Sequence, residues 1–221
     1  MIRIFFLTGV IIALFTVRCA GPALSLMPGY SKTEFRDADL GIILIKKNIT
    51  IGNPEELAAV FGRGDALGLY CTFFGDSFPA IIQQRTRFRQ VEFLKGTDEN
   101  MRRSVGGLSG GAAVTVPSRR NYVDAKYQYL LIVDYCTISR DQNTGVPTLG
   151  TEGNFTGFGA GLDYAKFSAM FVVWDNAKAS IAAYGAVKEQ IATGGDYSTA
   201  TLVELLKLAA ASITRGMPFR K

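Results

Sequence analysis

Four apolar patterns organise the chain. Residues 40–45 (Leu40-Gly41-Ile42-Ile43-Leu44-Ile45) form a short unbroken run, the mark of a strand buried on both faces, and 48–51 then alternate like a half-exposed one. A second apolar block, 129–133 (Tyr129-Leu130-Leu131-Ile132-Val133), sits inside a strand expected over 126–139. A third strand is expected over 165–175, carrying Phe167, Met170, Phe171, Val172, Val173 and Trp174. The turn Asp175-Asn176-Ala177-Lys178 leads to a returning partner over 179–188. The fourth pattern has helical spacing: Leu202, Val203, Leu205, Leu206, Leu208, Ala209 and Ile213 follow a cap at Ser198 or Thr199, and Gly216-Met217-Pro218 closes that helix.

Punctuation between these blocks places the remaining elements. Asn53-Pro54-Glu55-Glu56 predicts a helix start: an N-cap, a proline in the first turn, and two carboxylates at the positive end of the dipole. Gly62 and Gly64 stop that helix. Residues 67–74 read as a strand or packed turn, with a second helix beginning at Asp76-Ser77-Phe78-Pro79. Residues 89–95 alternate, with Val91 and Phe93 to one side and Glu92 to the other, as a half-buried strand does. The order predicts an α+β domain over 39–221: a mostly antiparallel sheet with helices packed on one face.

The first residues have a different character. Met1-Ile2-Arg3 is followed by an apolar run over 4–17 and then by small residues around Cys19, the three parts of a secretory signal. As a helix the run would reach about 21 Å, short of the roughly 30 Å hydrocarbon core, so a cleaved signal is expected rather than a permanent span. Two cleavage points stay open. Thr16-Val17-Arg18-Cys19 resembles the lipobox of bacterial lipoproteins, in which the cysteine receives a diacylglyceryl group and becomes the mature N-terminus. That family prefers leucine where Thr16 stands and a small residue where Arg18 stands. Alternatively Ala23-Leu24-Ser25 gives the small-x-small pattern for ordinary cleavage after Ser25. The expected layout is a signal over 1–18 (or 1–25), a tether over 19–38 and one domain over 39–221.

Composition narrows the function. With 48% apolar and 19% charged residues the chain is globular. The formal charge of +5 falls to about +3 once Arg3 and Arg18 leave with the signal. Arginines gather only in small groups (Arg85, Arg87 and Arg89; Arg102-Arg103; Arg119-Arg120), short of the basic stripe a nucleic-acid binder shows. The total absence of histidine excludes a Ser-His-Asp mechanism for Gly107-Leu108-Ser109-Gly110-Gly111 and leaves a zinc site without its commonest ligand. Gly157-Phe158-Gly159-Ala160-Gly161 lacks the spacing and preceding strand of a dinucleotide loop. No cofactor or metal is expected, and no catalytic constellation is recognised. Asp134 and Asp175, on or beside apolar strands, are the one carboxylate pair that could meet in space. Cys71 and Cys136 are either a candidate disulfide in an oxidising compartment or two small apolar side chains.

The early strand, the late strand, the hairpin around Trp174-Asp175-Asn176 and the closing helix together resemble small envelope lipoproteins. Their shared domain occurs at the N-terminus of TolB, in penicillin-binding-protein activators and in the curli secretion lipoprotein. The resemblance is topological and implies protein binding or assembly at the cell envelope, with no transferable active site. The chain is accordingly expected to be an exported lipoprotein, membrane-anchored through Cys19 and facing the periplasm or the surface. It would bind an envelope protein or cell-wall component and no nucleic acid. A histidine-free hydrolase and a structural subunit of an oligomeric envelope complex are the alternatives. The expected contact surface is the long 140–161 connection with Phe155 and Phe158, joined by Arg119, Arg120 and Tyr122.

Overall fold

The computed structural model describes residues 25–27, 29–30, 37–97, 101–104, 114–119, 122–142, 147–149, 155–158, 163–215 and 217–221. The expected signal segment, Cys19 and Arg120 lie outside them. In chain order the strands are β1 (Ser25–Leu26), β2 (Asp39–Leu44), β3 (Thr50–Ile51), β4 (Gln90–Phe93), β5 (Met101–Ser104), β6 (Val114–Pro117), β7 (Tyr129–Gln142), β8 (Pro147–Leu149), β9 (Phe155–Phe158), β10 (Asp163–Asp175) and β11 (Ser180–Ala192). The helices are α1 (Pro54–Val60), α2 (Ala66–Arg85) and α3 (Thr199–Thr214).

Seven strands form the main sheet in the order β1-β11-β10-β7-β2-β4, with β3 also on β7. One half is antiparallel, as the hairpin turn at 175–178 requires: β10 pairs with both β7 and β11. The other half is not, so the sheet is partly parallel, while most of its residue pairs are antiparallel as expected. β2 runs parallel to β4 and to β7, and β3 runs parallel to β7. The reason is connectivity: α1 and α2 lie between β2 and β4, and a helical crossover returns the chain in the same direction.

The helices pack on one face of this sheet. Leu40, Ile42, Leu131, Val133, Phe167 and Phe171 meet Tyr70, Phe74 and Phe78 of α2 and Leu202, Leu205 and Leu206 of α3 in one buried cluster. The segment 67–74 is helical, against the expected strand or turn. Asp65 starts α2 by accepting the amide protons of Leu67 and Gly68, and the helix runs through Pro79 to Arg85. Tyr70, Phe74 and Phe78 recur every four residues and are fully buried, and Phe74 stacks on Phe78 at 4.5 Å. That packing offsets the bond lost at the proline. Helix and sheet come close at Gly75, where a Cβ would stand 2.6 Å from Phe93 Cδ1. Beyond α3, Met217 and Phe219 are buried, and Phe219 packs on Phe88 at 4.9 Å.

The opposite face is covered over only half its length. The β5–β6 hairpin and the 122–127 segment lie over Ile43, Leu130, Ile132, Val172 and Trp174 in a second cluster. Asn176 fastens this layer. Its Nδ2 donates to Tyr127 O at 3.1 Å, its Oδ1 accepts from Tyr122 N–H at 2.9 Å, and its own amide donates to Gln128 O at 2.9 Å.

The β2–β4 pair is held at its start by an ion pair. Arg89 donates from Nε to Asp39 Oδ1 at 2.9 Å and from a terminal nitrogen to Oδ2 at 2.6 Å. These bonds, outweighing the burial of the carboxylate, hold Asp39 below its ordinary pKa. The folded state therefore binds this proton less tightly than the unfolded chain does. The pair's stabilisation is complete above about pH 4 and is lost as pH falls through the depressed folded value. Urea midpoints measured across the acid range should fall on acidification, and Arg89→Met should flatten that limb; an unchanged acid limb in the variant would contradict the assignment.

Candidate functional site

The side chains of β7 alternate between the two faces until the strand breaks phase. Tyr129, Leu131 and Val133 point to the helices, as do Cys136 and Ile138, so odd positions give way to even ones. The pairing with β10 shows where: Asp134 stands opposite Met170 and Thr137 opposite Ser168, so two residues of β7 face one of β10. This is a β-bulge. On the other side of β7, pairing with the preceding segment stops at Leu44–Val133 and resumes at Thr50–Thr137. A 3-10 turn over Lys46–Asn48 fills the gap and lies against the bulge.

Asp134 holds the bulge. It is 3% exposed and sits on the face away from the helices, where a buried carboxyl group needs hydrogen-bond partners. It has three: Asn48 Nδ2 donates to Oδ1 at 2.8 Å, the amide of Tyr135 donates to the same oxygen at 2.8 Å, and the Thr115 hydroxyl donates to Oδ2. Asn48 comes from the 3-10 turn and Thr115 from β6, so one carboxylate ties three segments together. Tyr135 takes the strain. Its φ is +48°, in the left-handed region that costs an L-residue energy, and its ring is 38% exposed. The Arg103 guanidinium of β5 lies over that ring, 6.0 Å from its centre.

Past the bulge no described element covers the face away from the helices, and its residues are half-buried or exposed. β10 shows the change along its length: alternate residues from Asp163 to Met170 are only half-buried, whereas 171–175 are buried on both faces. Cross-strand pairing sets two rows on this part. Thr137, Ser168 and Lys188 form one; Ser139, Lys166 and Gln190 form the next. All six line a shallow cavity of about 370 Å³. Lys166 also pairs with Asp141.

The surface expected from the sequence is not brought together. Tyr122 is half-buried, with its hydroxyl on Thr97 O at 2.7 Å and its amide on Asn176, so it serves the second layer rather than a partner. Arg119 is exposed just after β6. Phe155 and Phe158 lie on β9, which pairs with β8 in a separate two-stranded sheet between β7 and β10; their side chains fall outside the described residues, as does Arg120. The Tyr122 end and the β8–β9 end flank opposite ends of β7 and β10, roughly 40 Å apart along the strands. The structure gives the long connection a hairpin of its own.

Other candidate chemistry also separates. Asp175 pairs opposite Tyr129 and Asp134 opposite Met170, about 16 Å apart along the sheet and too far for paired carboxylate hydrolysis. Asp175 is a turn residue: its Oδ1 accepts the Lys178 amide at 2.8 Å and its Oδ2 the Tyr30 hydroxyl at 3.1 Å. No disulfide joins Cys71 to Cys136. Cys136 is fully buried, its sulfur 3.9 Å from the Tyr70 hydroxyl, and burial pushes its pKa to about 12, so it behaves as an apolar side chain. Among the described residues no cluster of three acidic or cysteine side chains could hold a metal, and no helix is long and apolar enough to cross a membrane.

The sequence could not show Asn48, Arg103, Thr115 or Tyr135 as a group. They come from four segments, and only the phase change in β7 signals the bulge. That change is hidden because 129–133 is apolar at every position.

No protein-family model matches the chain, and no curated protein does. Among solved structures, PelC from Paraburkholderia phytofirmans, a dodecamer, aligns over 90% of this chain and 98% of its own at 7% identity and a TM-score of 0.38. A neuraminyllactose-binding hemagglutinin homolog from Helicobacter pylori aligns over 87% of both chains at 11% identity and a TM-score of 0.35.

The strain at Tyr135 is measurable without disturbing its surroundings. Tyr135→Gly and Tyr135→Ala both remove the ring, but only glycine accepts a left-handed φ at no cost. The glycine variant should be the more stable by about 1 kcal/mol in urea unfolding. Equal stabilities, or a more stable alanine variant, would show that the residue is not held in this conformation.

Proposed function

We propose that this chain is an exported, lipid-anchored envelope protein that acts by binding another envelope component rather than by catalysis. The observation that carries the reading is Tyr135: an aromatic ring kept exposed on a strained bulge by a buried carboxylate, with a guanidinium over its face. Strain of this kind persists only where surrounding contacts impose it, and it gathers at binding and active sites. Tyrosine and arginine are both enriched in binding hot spots. Asp134 is engaged by three donors, which suits a structural role better than that of a nucleophile or base.

The anchoring half of the proposal draws support from β1. Ser25 and Leu26 pair with Tyr184 and Ala183, and the Met27 amide donates to Ala182 O at 2.9 Å. Cleavage after Ser25 would cut this strand in two, whereas cleavage before Cys19 leaves it whole. Cleavage before Cys19 also leaves a thiol for the diacylglyceryl group, and the two or more chains of a lipoprotein head hold a protein at a leaflet without spanning it.

Two measurements on cells making the full chain test the proposal. Intact mass and fatty-acid labelling should place lipid on Cys19, with the label lost in Cys19→Ser; an unlabelled protein beginning at Leu26 would overturn anchoring. A photo-crosslinking phenylalanine analogue at position 135 should yield an adduct with an envelope component, and the same group at the exposed Leu208 of α3 should not. No adduct at 135, or equal adducts at both positions, would overturn the binding role.

A further inference from the structure

Building on that binding role, we infer that the outward face of the sheet past the bulge, from Tyr135 to Gln190, is a platform for an anionic glycan chain. Three features argue for this class of ligand. The first is charge. Lys166, Lys188 and Arg103 stand on or beside the platform against two carboxylates: Asp141, which Lys166 already engages, and Glu189, which accepts the Ser212 hydroxyl of α3. Among the described residues neither Lys188 nor Arg103 is in a salt bridge, so a positive excess faces outward.

The second feature is the hydroxyl pattern. Thr137, Ser139 and Ser168 with the amide of Gln190 offer both donors and acceptors, in rows about 4.8 Å apart across strands and roughly 6.6 Å apart along them. A chain of sugar hydroxyls needs both kinds of partner at repeated spacing. A run of lysines alone would serve phosphate without them. The third feature is Tyr135, whose exposed ring at the edge of the platform offers an apolar face to the C–H side of a sugar while Arg103 keeps a cation beside it.

The alternatives fit less well. Across the hydroxyl rows the facing main-chain groups of β7, β10 and β11 are paired with each other, so among the described residues a peptide could add a strand only at the outer edge of β11 past Tyr184, beside the rows rather than on them. The two rows contain no apolar side chain to enter a bilayer interface, which argues against a lipid surface.

The bulge decides which residues line the platform. Were the same residues to run as a regular strand through 134–136, Thr137 and Ser139 would face the helices, and Cys136 and Ile138 would face outward. The same insertion therefore provides the hydroxyl rows and the exposed ring.

The test uses the full chain in detergent micelles, with polygalacturonate, neutral dextran of matched length, and phosphatidylglycerol vesicles as probes. Polygalacturonate should bind roughly tenfold more tightly than dextran, and more weakly as salt rises. Lys188→Gln and Tyr135→Ser should each weaken binding roughly threefold to tenfold, while Lys207→Gln on the helix face should leave it unchanged. Thermal melting of each variant confirms that it is folded. Equal binding of dextran, insensitivity to the Lys188 and Tyr135 changes, or an equal effect at Lys207 would overturn the platform. Binding to vesicles alone would assign the face to a lipid surface instead. If polygalacturonate fails while the position-135 adduct forms, the glycan assignment falls and the binding role stands; if both fail, both fall.

Discussion

One extra residue in β7 governs the arrangement of the sheet. This strand has an antiparallel neighbour on one side and two parallel neighbours on the other. On the parallel side the chain between β2 and β3 makes a 3-10 turn, which a regular strand could not accommodate opposite a continuous ladder. The bulge at 134–136 gives it room. Because the strand period is two, the same insertion exchanges the faces of everything beyond it. Cys136 and Ile138 enter the helix-facing core, and Thr137 and Ser139 turn outward. The Asp134 carboxylate is what makes this stable, since it takes donors from the 3-10 turn, from the bulge and from β6 at once. Removing any one of them would leave a buried polar group short of a partner, which is where such networks are most costly.

The two faces consequently serve different ends. Toward the helices, aromatic packing around Phe74, Phe78, Phe167 and Phe171 makes a dry core. On the other side a second layer closes over Ile43, Ile132 and Trp174, and Asn176 pins it down. That layer ends beside Tyr135, where the half-buried hydroxyl rows begin. Strain, buried carboxyl group and exposed aromatic meet at this boundary, and the proposed binding role follows from that meeting rather than from any single residue.

Much of the frame was legible in the sequence. The β2 run, the β10–β11 hairpin with its Asp175-Asn176 turn, the start of α1 at Asn53 and the cap of α3 at Ser198 all carry their reasons locally. Even there tertiary contacts reassign details: the Asn53 side chain accepts the Arg140 amide at 3.1 Å instead of capping its own helix. α2 was not legible, because Leu67, Leu69, Phe73 and Phe74 are apolar on several sides of the helix and Gly68, Gly75 and Pro79 interrupt the period. Parallel pairing was not legible either, since a strand buried on both faces reads the same in either direction. The partner surface expected at Arg119, Tyr122, Phe155 and Phe158 rested on loop length and composition, and neither encodes that its two halves sit at opposite ends of a long sheet. The bulge is not legible in the sequence because apolar residues at every position from 129 to 133 erase the alternation that would reveal a change of phase.

Hydrogen exchange at the Tyr135 amide tests this account most directly. The residue's side chain is exposed, yet its N–H donates to the buried Asp134 carboxylate. If that carboxylate holds the bulge, the amide should be protected to nearly the same degree as those of Leu131 and Val133 in the same strand. Exchange at the rate of an unstructured amide would contradict the account, because the bulge would then be a loose irregularity rather than the joint on which the sheet is built.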